Sequence, residues 1–133
     1  MYIIICLDDN NGLAFNHRRQ SQDRIVAEDI RKTVGEKKLW ITDYSRKLFH
    51  SVSNLEISEN QKEKAKEGEY VFQELETLDT GDKRIEQFII YRWNRVYPAD
   101  VSVEIGTEWK LTETEEFPGF SHVKITKEVY CRE

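Results

Sequence analysis

Tyr2-Ile3-Ile4-Ile5-Cys6-Leu7, then Asp8-Asp9-Asn10-Asn11-Gly12, then Leu13-Ala14-Phe15-Asn16-His17-Arg18-Arg19-Gln20-Ser21-Gln22-Asp23, is the stretch that decides how this chain is read. Its first part is an unbroken apolar run rich in β-branched side chains. Such a run predicts a strand buried on both faces, as in the middle of a parallel sheet. Asn11-Gly12 signals a turn. The run from Asn10 to Asp23 is dense in Asn, Asp, Arg and His. A polar loop at the end of a central strand is where open α/β sheets bind ligands.

A helix should follow. Ser21 is placed to cap it, and Asp23 falls in its first turn, where negative charge suits the helix dipole. Val26, Ile30 and Val34 form one apolar stripe at helical spacing. Gly35 ends the helix, with Lys32 in its last turn. Leu39-Trp40-Ile41-Thr42 reads as a second strand, and Asp43 as the cap of a short helix through Leu48 and Phe49. Strand, helix and strand joined by short loops predict a parallel pair with a crossover helix. The polar stretch from Glu56 to Glu69 reads either as an exposed helix or as a loop.

The second half reads as strands. Tyr70-Val71-Phe72 starts one, and Ile85 to Trp93 is a second central strand. Val101, Val103 and Ile105 alternate with polar residues. Trp109, Leu111 and Phe117 repeat the pattern, as do Val123, Ile125, Val129 and Cys131. Pro118-Gly119 should turn the last two strands into a hairpin. The expected fold is α/β: a single-domain mixed sheet over residues 1–133, with two or three flanking helices, ending in an antiparallel hairpin.

A length of 133 residues suits one domain with its own core. At 38% hydrophobic and 34% charged, with three Trp and six Tyr, the chain is globular. A net charge of -5 disfavours general affinity for nucleic acid, although Arg18, Arg19 and Arg24 fall close together. Those three read either as a solvated loop and helix start or as an anion site. The two cysteines, Cys6 and Cys131, lie in apolar runs and predict buried, reduced thiols in a cytoplasmic protein. The six-residue N-terminal run has no basic leader, and no stretch approaches membrane-spanning length.

In order along the chain, these pieces resemble the dihydrofolate reductase family. The resemblance rests on Ile3 to Leu7, Asp8 to Gly12 and Asp23. It continues through Leu39 to Ser45, the lead-in Glu67 to Phe72, the strand Phe88 to Trp93, and the final hairpin Trp109 to Glu133. It implies a reductase-like fold, with Asp23 at the place of the family's acidic pterin ligand. The cofactor side departs from the family. Gln73-Glu74-Leu75-Glu76-Thr77 replaces the consecutive glycines that let a backbone approach a pyrophosphate. Asp43 stands where the family has an Arg for cofactor phosphates, and the family's extra strand and connection should be missing between Phe49 and Ser58. The family's loop Trp is replaced by Asn16-His17-Arg18-Arg19. These departures predict no NADPH and no other cofactor, hence no hydride transfer.

Three functional readings follow. The first is a shortened reductase-like protein holding a small polar or anionic ligand, with Asn11, Asn16, His17, Arg18, Arg19 and Asp23 as candidate ligand-binding residues. Its structural counterpart is that Asp23 merely stabilises the helix start and pairs with Arg19 or Arg24. The second reading is RNA binding or phosphodiester cleavage by His17, Arg18, Arg19 and Arg24. The run Asn16 to Asp23 is similar to that of short bacterial proteins named ribonuclease Z. The His-x-His-x-Asp-His cluster of a dinuclear zinc hydrolase is nevertheless absent from the sequence, so no metal is expected. The third is a protein-interaction module built on Trp93, Tyr97, Trp109, Phe117 and Phe120. An exposed sheet edge also leaves room for pairing with a second copy of the chain.

Overall fold

The computed structural model describes residues 1–132. Its main sheet has seven strands in the order β5-β4-β6-β1-β7-β10-β9. These are β1 Tyr2–Leu7, β4 Leu39–Ile41, β5 Leu55–Ile57, β6 Tyr70–Phe72, β7 Gln87–Arg92, β9 Trp109–Phe117 and β10 Ile125–Arg132. A second sheet packs β2 Gly12–Phe15 between β3 Arg18–Arg19 and β8 Val101–Ser102. The helices are α1 Arg24–Val34, the short α2 Gln61–Lys64 and a 3-10 helix, Asp43–Leu48.

β1 is the middle strand, as its composition predicts. It pairs in parallel with β6 on one side and β7 on the other. Ile3, Ile5 and Leu7 point into one core with Met1, Phe88 and Ile90. Ile4 points into the other, with Val26, Ile30 and Val34 of α1. Alternate side chains of a strand face opposite ways, so a strand feeding two cores must be apolar throughout. Trp109, Val103 and Ile85 pack on the face of Ile3 and Ile5, with Trp109 edge-on to Phe88 at 4.7 Å.

Several expectations change. The helix starts at Arg24, and Asp23 rather than Ser21 caps it, accepting from the Ile25 amide. Both residue types cap helices, and the one whose backbone turns extended just before the helix takes the role. The first two crossover strands are parallel but not adjacent, because β6 lies between β1 and β4. The strand expected to be missing between Phe49 and Ser58 is present as β5, at the sheet edge. The alternating run at Val101 to Ile105 forms a strand only at Val101–Ser102. The last two strands are joined by residues 118–124 rather than by a two-residue turn, and Glu133 lies outside the described residues. Cys6 and Cys131 are half-buried free thiols.

The largest change is in the supposed polar loop, most of which is a hairpin. β2 and β3 pair antiparallel through Phe15 and Arg18, leaving Asn16 and His17 as a two-residue turn. Both turn residues have positive φ, 52° and 60°. That is the geometry matching the twist of a tight hairpin, and Asn-Gly usually marks it. Asn-His hides the signal.

Asp8 fixes where this hairpin starts. It is fully buried, and its carboxylate accepts from the amides of Asn10, Gly12 and Tyr97 and from the Gln20 side chain. Asp8→Ala leaves those donors unpaired in the interior, a cost of about 3 kcal/mol. The expected result is a melting temperature lower by roughly 10 °C. A change of only a degree or two by calorimetry would show that the loops hold without it.

Candidate functional site

The site is built from the ends of three segments: the chain entering α1, the loop after β7 and the loop before β10. Asp23 is at its centre, with a side chain fully out of solvent. Its Oδ1 accepts from the Ile25 and Phe120 amides at 2.8 and 2.9 Å. Its Oδ2 accepts from the Ser121 amide at 2.9 Å, the Ser121 hydroxyl at 3.2 Å and His122 Nδ1 at 2.8 Å. Burial disfavours its charge, but the Phe120 amide, His122 and the Ser121 and Ile25 amides outweigh it. They hold the carboxyl well below the usual carboxylate range. Gly119 makes this closure possible, since a Cβ there would lie 2.6 Å from Asp23 Oδ2.

His122 faces both ways. With Asp23 ionised, Nδ1 carries the hydrogen, so in the neutral ring Nε2 is an acceptor. Nε2 lies 2.9 Å from the Ser21 hydroxyl and 3.3 Å from the Tyr97 hydroxyl. The ring is stacked on Trp93, with centroids 4.6 Å apart and planes 23° apart. Its two rotational degrees of freedom are therefore fixed by packing on one side and hydrogen bonds on the other.

Across the cleft, Arg19 grips Glu74. The guanidinium donates to both carboxylate oxygens, at 2.7 and 3.0 Å, and Ser45 Oγ donates to Oε1 at 2.6 Å. Arg19 also lies over the Tyr44 ring at 4.3 Å. This pair, 22% and 7% exposed, ties the β2–β3 hairpin to the end of β6. Between the two clusters lies a narrow cleft lined by Cys6, Phe49, Trp93, Ser21 and Asp23, with about 20 Å³ of free room. That is space for one water, not for a ring. Burial, and then the Glu74 carboxylate, push the Cys6 thiol far up, so it is no nucleophile.

Two wider recesses flank this cleft. One, of about 250 Å³, lies beside the segment that departs from the reductase pattern and is bordered by Glu59, Glu63, Glu74 and Glu76. The other, of about 370 Å³, runs between α1 and the 3-10 helix. Ala27, Leu48, Phe49 and Val52 line it, with Arg24 and His50 as its basic groups. Ala27, Leu48 and Phe49 also border the inner cleft, so the second recess adjoins it.

The six candidate residues do not converge. Asn11 turns away to receive Arg92 on the far side of β1, and borders a different hollow. Asn16, His17 and Arg18 are exposed at the hairpin. Arg19 and Asp23 reach the cleft region, each already paired. Asp23 pairs with His122 rather than with Arg19 or Arg24, while Arg24 lies over the Phe120 ring at 4.2 Å. Of the proposed aromatic surface, Trp93 and Trp109 are core residues, and Phe120 is the one left largely exposed, at 64%. Among the described residues no group of three His, Cys, Asp or Glu could hold a metal ion. Ser21, Tyr97, Glu74 and His122 were not legible as partners in one site. His122 sits 99 positions from Asp23, and no local spacing links them.

No protein-family model matches the chain, and no curated protein matches its sequence. In shape it is similar to a dihydrofolate reductase from Enterococcus faecalis, solved in complex with NADP(H) and RAB-propyl. The TM-score is 0.65, and the match covers 99% of this chain and 95% of that one at 10% sequence identity. The likeness establishes a dihydrofolate reductase-like fold. Among the described residues, no helix is long and apolar enough to cross a membrane.

The depressed Asp23 carboxyl links stability to pH. The unfolded chain takes up that proton first as pH falls below about 4, so Asp23's contribution is full above that point and is lost progressively below it. Asp23→Asn should flatten the melting-temperature profile below about pH 4, where the wild type loses that contribution. An unchanged profile would place the charge elsewhere. Gly119→Ala should cost about 1–3 kcal/mol by pushing the 118–124 loop off Asp23. Wild-type amide protection at Phe120 and Ser121 in the variant would contradict that.

Proposed function

We propose that this chain acts as a single-domain cytoplasmic protein that binds a small anionic ligand beside its first helix, without NADPH. The groove between α1 and the 3-10 helix supports the first part. It has an apolar floor of Ala27, Leu48, Phe49 and Val52, with Arg24 and His50 at its edges. A few polar groups around an apolar recess is the usual make-up of a small-molecule site. Glu28 also borders it, but its carboxylate is taken by Arg31 at 2.6 Å. The site therefore lies one step beyond the Asn10 to Asp23 stretch, with Arg24 as its anchor in place of Arg18 and Arg19.

The recess at the Gln73 to Thr77 segment carries the second part. Four carboxylates, Glu59, Glu63, Glu74 and Glu76, border it. Diphosphate brings further negative charge to that place, and like charges at close range cost several kcal/mol. Against these four stands one lining cation, Lys62, and Arg19 close by is committed to Glu74 on both oxygens. Asp43 pairs with Arg46 at the surface and offers nothing to an anion. Two free thiols, Cys6 and Cys131, fit a reducing compartment.

The deciding experiment is a thermal-shift comparison with pterin-6-carboxylate, folate, AMP and NADPH. At about 100 times its dissociation constant a ligand stabilises by about 2.7 kcal/mol, a shift of several degrees. The expected pattern is a rise with a small carboxylate ligand, lost in Arg24→Ala, and none with NADPH. A rise with NADPH, or no rise with any of the four, would reject the reading.

A further inference from the structure

Ser21, His122 and Asp23 lie in line. The Ser21 hydroxyl is 2.9 Å from His122 Nε2, and His122 Nδ1 is 2.8 Å from Asp23 Oδ2. We propose that these residues form an acyl-transfer site in which Ser21 is the nucleophile, His122 the general base and Asp23 the group that orients the ring. The substrate class is a short-chain carboxylic ester. The inference concerns a different reaction centre from the anion groove and stands without it.

Four features carry the assignment. The distances are those a serine nucleophile and its base require. Asp23 and His122 are almost wholly buried, with side chains 0% and 4% exposed, while Ser21 is half-buried and open to a reactant. The Asp23 carboxylate is kept charged by backbone donors rather than by a cation, leaving its charge to act on the imidazole. Finally, Tyr97 places a hydroxyl 3.3 Å from the same Nε2, so an O–H donor stands beside the reacting serine. That hydroxyl is the group positioned to bond the oxygen of a tetrahedral intermediate.

The steps balance without any co-reactant except water. Ser21 Oγ bonds to the ester carbonyl carbon as its proton passes to His122 Nε2. The intermediate collapses, the bond to the leaving alkoxide oxygen breaks, and that oxygen takes the proton from Nε2. Water then adds to acyl-Ser21, giving its proton to Nε2. Carboxylic acid leaves as Ser21 Oγ recovers the proton. The cleft behind Ser21 holds about one water, which limits the acyl group to a short chain lying along the rim.

The test uses the full-length protein with p-nitrophenyl acetate and a fluorophosphonate probe. Intact mass and peptide mapping should show one phosphonate adduct, on Ser21. Ser21→Ala should abolish the adduct and the protein-dependent ester turnover. This substitution removes one hydrogen bond and should leave the melting temperature within a few degrees of wild type. His122→Gln keeps a donor towards Asp23 and should slow labelling by about 100-fold or more. Tyr97→Phe should lower kcat more than it changes KM. A folded wild-type protein that takes no label, takes it elsewhere, or keeps its turnover in Ser21→Ala overturns the proposal. If His122→Gln does not fold, the Ser21→Ala comparison decides alone.

Discussion

Asp8 follows the central strand of the sheet, which feeds both cores, and among the described residues its buried carboxylate forms no salt bridge. A charge in that position survives only if donors surround it. The chain supplies three backbone amides and the Gln20 side chain. To deliver them, the segment after β1 must fold back at Gly12 and the segment after β7 must bring Tyr97 across. Asp23 repeats the arrangement, drawing in Ile25, Phe120 and Ser121. Each carboxylate is closed upon by a glycine whose Cβ would reach its oxygen, Gly12 at 3.0 Å and Gly119 at 2.6 Å. The loops at this end of the sheet thus take their shape from two anions that demand hydrogen bonds.

The Arg19–Glu74 pair works by a different balance. Desolvating both ions offsets most of their attraction, so such a pair adds little net stability. Removing one partner is costly, because the other remains buried and alone. Its consequence is conformational: it fixes the β2–β3 hairpin against the end of β6. The hairpin cannot swing out without stranding Glu74, which is also held by Ser45. The inner cleft is therefore small by construction, and access is left along α1 and at the Ser21 rim.

Much of the framework was legible because it depends on local pattern. The run Tyr2 to Leu7 suits a doubly buried strand, and the Val26, Ile30, Val34 stripe has the spacing of one helix face. The final antiparallel pair followed from alternation. What was missed depends on distant partners or on ambiguous local chemistry. Ser21 and Asp23 are two residues apart and both are good caps, so sequence alone could not choose between them. β5 is three residues long, and the run around it is too polar to carry a strand signal. The Asn-His turn lacks its usual glycine. Most of the site was hidden, because His122 reaches Ser21 from 101 positions away in the chain, and Tyr97 joins them only through His122.

These features bear on what chemistry the fold can host. Hydride transfer requires two ligands meeting across the sheet end, one of them a large dinucleotide. Here the recess beside Gln73 and Glu74 is bordered by four carboxylates, and the inner cleft has room for about one water. Ester cleavage requires less: a nucleophile at the rim, a base behind it and water to finish. The geometry at Ser21 matches that smaller demand, and it does so with the carboxylate that a reductase-like reading assigns to a pterin. A single acidic position at the start of the first helix can thus serve either chemistry, depending on what its neighbours place against it. In this chain the neighbour is His122, brought in by a loop that only Gly119 allows to come so close.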